Sequence, residues 1–135
     1  MHLVTVLEEM PVQETADGIA ELREAGLPVG AVIVNLVRPR DLDTEQLRAI
    51  DEYQVDRSVI ADHLADVGVE AEPELIEGLL AEARDHAERR ALEDSQRVLV
   101  SNLGLPSLEL PRMAGGVDLG GLYELAGLLR EQGMA

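Results

Sequence analysis

Apolar positions change their period along this chain, and the changes mark its elements. Leu3 to Leu7 is a short β-prone run, closed where Met10-Pro11 places a proline in the first turn of a helix. Val12, Thr15/Ala16, Ile19 and Leu22 then recur at helical spacing. Glu14 and Asp17 lie toward the helix N-terminus, Arg23 in its last turn, and Gly26 at the left-handed position just past its end. From Val29 to Val37 nearly every residue is apolar, without alternation, which predicts a strand buried on both faces of a parallel sheet. The segment reads as strand, helix, strand. A right-handed crossover would set both strands parallel in one sheet.

From Asp41 to about Val100 the pattern becomes helical and charged. Asp43 or Thr44 can cap a first helix through Leu47 and Ile50, a second runs from Asp56 to Ala65, and Gly68 breaks the run. Glu72-Pro73 opens a long helix with one apolar stripe, Leu75, Ile76, Leu79, Leu80, Ala83, Ala87 and Ala91, and with EARDHAERR as a solvated face. Asn102-Leu103-Gly104 ends it. Ser107 to Leu110 is long enough for a third strand stopped by Pro111. Asp118 can cap a terminal helix whose Leu119, Leu122, Tyr123, Ala126 and Leu129 form a buried stripe ended by Gly133. The expected class is α/β: about three short parallel strands with a helix-rich middle, forming a single partial domain. Its parts are a strand-helix-strand unit over 1–40, a helical segment over 41–104, and a short strand, proline/glycine loop and terminal helix over 105–135.

Charge narrows the partners. The chain of 135 residues has 27 acidic against 11 basic residues, a formal charge of −16, which repels nucleic acid and anionic membrane surfaces. Cysteine is absent, so there is no disulfide framework or thiolate metal site, in keeping with a cytoplasmic location. The histidines at 2, 63 and 86 lack ligand spacing, so no metal is expected. No run of about 18 apolar residues suggests membrane insertion, and the opening residues are too short and too weakly basic for a signal peptide. Met1 stands directly before a strand, which suggests either the boundary of an excised fragment or an internal start.

In open parallel sheets ligands bind at the carboxyl ends of the strands. Three places qualify here: Glu8-Glu9-Met10, Asn35 to Pro39, and Pro111-Arg112-Met113. Asn35 stands out as a carboxamide in an apolar strand end. Buried without partners it would cost roughly 1–3 kcal/mol, so it bonds either to a ligand such as a purine edge or to the backbone of the following loop. The glycine-rich MAGGVDLGG precedes a helix, but Asp118 at its mouth opposes an anion, and a turn into the helix is the simpler reading. All 11 basic residues are arginine, and no G-x-x-x-x-G-K-[ST] is present. No Ser/His/Asp or His/Glu constellation is recognisable, so a self-contained hydrolase or transferase finds no catalytic residues.

VLEEMPVQET, a helix ending in glycine and then VGAVIVN with a following proline, together with LELPRMAGGVDLGGLYELAGLLREQG, resemble the ArsA-type anion-transporting ATPases. The relatives of that family include the ATPase that targets tail-anchored membrane proteins. The two blocks cover about half of the chain and are similar to the C-terminal part of the family, a bacterial, actinobacterial-like branch being the closer fit; residues 41–100 match only as helices.

The resemblance implies the C-terminal, adenine-side portion of a P-loop NTPase-type sheet. It implies ATP with Mg2+ in a complete protein that cycles as a dimer, and no tight nucleotide binding by this chain alone. Asn35 would read adenine, and Pro111 and Arg112 would belong to the loop over the base. Glu14 and Thr15 match a Glu-Thr pair of structural or interfacial character. Leu36 departs from the polar residue usual after the asparagine. Without cysteines neither zinc nor arsenite is expected. The partners implied are another copy or a partner ATPase subunit. The competing expectation is a non-catalytic α/β interaction module that pairs with a separate ATPase.

Overall fold

The computed structural model describes residues 1–39, 44–52 and 55–134. It is an α/β chain, as expected of part of a P-loop NTPase sheet. The elements run β1 (His2–Thr5), α1 (Glu9–Glu24), β2 (Ala31–Val37), α2 (Thr44–Asp51), α3 (Arg57–Asp66), α4 (Pro73–Ser101), β3 (Ser107–Pro111) and α5 (Leu119–Glu131). Asp41 and Asp43 lie outside the described residues, as do the side chains of Thr44 and Leu47. The chain divides into two compact units, Met1–Pro39 with Leu92–Ala135, and Arg40–Ala91.

The first unit holds the sheet. Its order is β1-β2-β3, with both pairings parallel, so the crossover through α1 joins adjacent strands. The face that α1 turns to the sheet is the one its spacing predicted: Val12, Thr15 and Ile19 are buried. Val12 and Ile19 join Leu7, Val32, Val34 and, from the end of α4, Val100 in one core, with Leu3, Val37, Leu103 and Leu105 packed around it. Fully burying one such aliphatic side chain stabilises by about 1.5–3 kcal/mol, so this cluster is the main support of the sheet. Gly26, at φ 72 directly after the C-cap Ala25, and Gly133, at φ 98 after Gln132, end α1 and α5 in the left-handed conformation that glycine tolerates.

Several expectations need correction. β1 stops at Thr5 because Leu7 and Glu8 already turn toward α1, whose first residue is Glu9. β2 begins at Ala31, and it is not buried along its whole length, since Leu36 is exposed. The stripe on α5 is not buried: Leu119, Leu122, Tyr123 and Ala126 are exposed, while Leu125, Leu128 and Leu129 are half-buried. The side of α5 that packs is rotated from the one the apolar spacing suggested. Only one side of a helix can face β3, and apolar residues occupy more than that side.

In the second unit Ile50, Ile76 and Leu80 are buried. Leu75, Leu79 and Ala91 are exposed, whereas Arg90, expected on the solvated face, is buried. The buried stripe on α4 passes through 76, 80, 83, 87 and 90, so at its end it drifts one position from the alanine that composition favoured. Asp56 caps α3, its carboxylate accepting from the Ser58 N–H at 2.8 Å. Arg57 and Glu77 pair at 2.7 Å.

Candidate functional site

The three strand-end loops all leave the same edge of the parallel sheet, and the structure joins two of them. In regular register Val34 lies beside Glu109, but Val37 lies beside Pro111, so Asn35 and Leu36 together oppose a single residue of β3. This is a β-bulge, which bends a strand end and re-aims its side chains. Leu36 carries the strain of it, at φ 58 in a region that residues other than glycine seldom adopt. Beyond the bulge the N–H of Arg112 donates to the carbonyl of Val37 at 2.8 Å. Asn35, Pro111 and Arg112, singled out from widely separated stretches of sequence, therefore share the carboxyl ends of two neighbouring strands.

Asn35 is half-buried, and its Oδ1 accepts from the N–H of Leu36 at 2.9 Å. A carboxamide oxygen has two lone pairs and the amide nitrogen two donors, so the tie to the loop leaves one acceptor site and both donors of the group. Both readings of this asparagine, loop tie and ligand contact, can coexist in one side chain. Paired donor and acceptor are what an adenine edge demands, as in the bidentate contact of Asn to N6 and N7. Arg112 is exposed beside it and Pro111 is half-buried. The loop after β1 is different in kind. Glu8, Glu9 and Met10 are all exposed, and the N–H of Glu8 donates to the carbonyl of Val6 at 2.8 Å.

Glu14 is exposed on α1. Thr15 beside it is buried, and its hydroxyl donates to the Pro11 carbonyl one turn earlier at 2.8 Å.

Among the described residues the phosphate side of a nucleotide finds no comparable chemistry. Asp118 caps α5 by accepting from the Gly121 N–H at 2.8 Å, so the carboxylate occupies the place an anion would take at that helix N-terminus. Among the described residues no three His, Asp or Glu side chains converge as a metal site requires. The donors and acceptor of Asn35 thus suit a base edge better than the described residues at this end of the sheet suit a magnesium phosphate. A hollow of about 260 Å³ lined by His2, Gly30, Leu108 and Gln132 lies at the opposite, amino-terminal end of the strands. Among the described residues no helix is long and apolar enough to cross a membrane.

Sequence reasoning missed the ties that hold this end of the sheet. Arg38, in the loop after β2, lies 3.7 Å from Glu93 of α4, and Arg97 one turn further pairs with Glu109 of β3 at 2.6 Å. The bonds to Glu109, followed by the neighbouring carboxylates of Asp94 and Glu93, raise the Arg97 pKa against the opposing effect of burial. The only signal in the sequence was the polar Glu109 alternating with Leu108 and Leu110.

The chain is related in sequence to proteins described as ATPases. Over 134 residues, 99% of its length, it is 41% identical to ATPase BagA of Mycobacterium tuberculosis, and to the same degree to a Mycobacterium bovis protein that carries an ATPase name. It spans 39% of the length of each. No family model matches it.

Proposed function

We propose that this chain is the C-terminal, adenine-side portion of an ArsA-like ATPase. In this reading Asn35 contacts the base, Pro111 and Arg112 cover it, and hydrolysis belongs to the complete protein, which holds ATP with Mg2+ and works in the cytoplasm as a homo-oligomer or with a partner ATPase subunit. The observation that carries the reading is the bulge at Asn35-Leu36, which brings the carboxamide and the Pro111-Arg112 loop to one sheet edge. The relation to ATPase-named proteins supports it, as does the absence of lysine, which leaves the phosphate contacts to another segment. Glu14 is then available to an interface while Thr15 holds the first turns of α1.

The test is calorimetry with ATP and ADP in the presence of magnesium. The chain alone should give no tight binding, and the chain joined to the part of BagA outside the match should bind. In the joined protein Asn35→Ala should weaken ATP by roughly tenfold or more, the equivalent of about 1.4 kcal/mol and within the range for a lost hydrogen bond. Equal ATP affinity with and without the asparagine carboxamide would sink the assigned role. A joined protein that binds no nucleotide would favour a non-catalytic interaction module.

A further inference from the structure

The bulge at Asn35-Leu36 needs support from outside itself. Leu36 sits at φ 58, and a residue with a Cβ stays in such a conformation only where its surroundings over-determine it. Its own side chain helps little, being 54% exposed. The fixed points lie on either side of it. Before the bulge Val34 is in register with Glu109 of β3, and after it the Val37 carbonyl accepts from the Arg112 N–H. Both points are held by the last turns of α4. Arg97 grips the Glu109 carboxylate with two nitrogens, Nε at 2.6 Å and Nη2 at 3.5 Å, while its Nη1 donates to Asp94 at 2.5 Å. One turn earlier Glu93, whose side chain is 13% exposed, faces the Nε of Arg38 at 3.7 Å, and Arg38 directly follows Val37.

We propose that Arg97 is a positioning residue for Asn35, with the Glu93–Arg38 pair as a second, looser arm of the same brace. This rests on the reading of Asn35 as the contact to the base. A carboxamide that reads a base edge must be held to within about 0.5 Å of its productive geometry, by residues that are themselves fixed. The forked guanidinium suits that task because it sets direction as well as distance, and Asp94 fixes the guanidinium in turn. Without this hold on Glu109, β3 can shift against β2 and Leu36 can leave the left-handed region. The carboxamide would then turn with it, since the Asn35 Oδ1 accepts from the Leu36 N–H. Arg97 acts through Glu109 and the bulge, not on the ligand itself.

The experiment has two readouts. Arg97→Met keeps an apolar stem of similar length and removes the fork. In the chain alone, amide exchange at Leu36 and Arg112 should quicken roughly threefold or more, while Val32, at the far end of β2, keeps its rate. In the chain joined to the part of BagA outside the match, Arg97→Met should weaken ATP about fivefold, seen as a raised KM with kcat unchanged. Combined with Asn35→Ala it should cost nothing further, because nothing is left to position. Unchanged exchange at Leu36 and Arg112, or the same loss of ATP affinity with and without the Asn35 carboxamide, overturns the proposal. Should Arg97→Met fail to fold, Arg38→Gln, at a side chain 42% exposed, removes the second arm and should give the same pattern at smaller amplitude; its absence overturns the proposal equally. Failure of the base reading shows separately, as ATP affinity indifferent to Asn35→Ala. Exchange at Leu36 and Arg112 then decides by itself whether Arg97 braces the bulge.

Discussion

Arg112 and Val37 are joined backbone to backbone, the N–H of the first donating to the carbonyl of the second at 2.8 Å. Because this bond lies one residue past the bulge, the loop after β3 follows any movement of Asn35 and Leu36. The candidate base site is therefore one mechanical piece, although its residues are more than 70 positions apart in the sequence.

The strain at Leu36 gives the first prediction. A left-handed conformation costs a residue with a Cβ roughly 1–2 kcal/mol, and the side chain is 54% exposed, so little packing is lost on removing it. Glycine escapes the clash but gives back about 0.5–1 kcal/mol in chain entropy. Leu36→Gly should leave stability to urea unchanged or slightly higher, whereas Leu36→Val, β-branched at positive φ, should lower it by about 1 kcal/mol. Equal stability of the two variants would mean that the bulge relaxes at no cost.

Asn35→Asp separates the loop tie of the asparagine from its proposed contact to the base. Aspartate keeps an acceptor for the Leu36 N–H but has no donors. In the joined protein it should retain the folding stability that Asn35→Ala loses in part, and still bind ATP as poorly as the alanine variant. Full ATP affinity in the aspartate variant would show that the loop tie is all the residue does.

Gln132, just past α5, clasps the backbone of β3, its Oε1 accepting from the Glu109 N–H and its Nε2 donating to the Glu109 carbonyl, both at 2.8 Å, which makes Gln132→Ala testable without any ligand. Three exposed hydrogen bonds would go, two to the Glu109 backbone and one from Nε2 to the Leu128 carbonyl at 3.1 Å, together worth about 1 kcal/mol once water replaces them, and the Glu109 amide should exchange faster. Gln132→Glu should keep protection of the Glu109 amide but not the lost stability, because a carboxylate can accept from the Glu109 N–H and cannot donate to its carbonyl. An unchanged Glu109 exchange rate in Gln132→Ala would refute the clasp.

What the sequence disclosed follows a physical division. Local rules were legible: the glycines just past the helix ends, Gly26 and Gly133, the N-cap Asp118, and the period of Val12, Thr15 and Ile19 each depend on residues within a turn or two. The parallel sheet was legible because a long apolar run beside a helix leaves few alternatives. The bulge was not, since Leu36 is an ordinary strand residue until Val37 is pinned to Arg112. The exposed stripe on α5 was also hidden: apolar spacing reports which side of a helix prefers burial, and not whether the described chain covers it. The three candidate loops followed from sheet topology, yet which two of them meet depends on strand order, and no short motif encodes that.

The second unit yields a prediction about acid. Hydrogen bonds from the Ser58 backbone and hydroxyl hold the Asp56 carboxyl below its ordinary value of 3.8, and the hydrogen bond and charge of Arg57 hold Glu77 below 4.5. A carboxyl whose pKa is depressed on folding contributes stability in full above its unfolded pKa and loses it as pH falls through the lower folded value. Acidification also relieves repulsion in a chain of formal charge −16, an effect of opposite sign, so the melting temperature of one protein alone is ambiguous. The difference between the unsubstituted chain and Glu77→Gln removes that shared background. Helix melting followed by circular dichroism should show the unsubstituted chain more stable at pH 7, the gap narrowing below about pH 4.5 and closing in stronger acid, where Glu77 is protonated. The pair is exposed, so the gap should also shrink in high salt. A gap that stays constant from neutral pH to strong acid would mean that Glu77 stabilises the unit by packing, with its charge irrelevant.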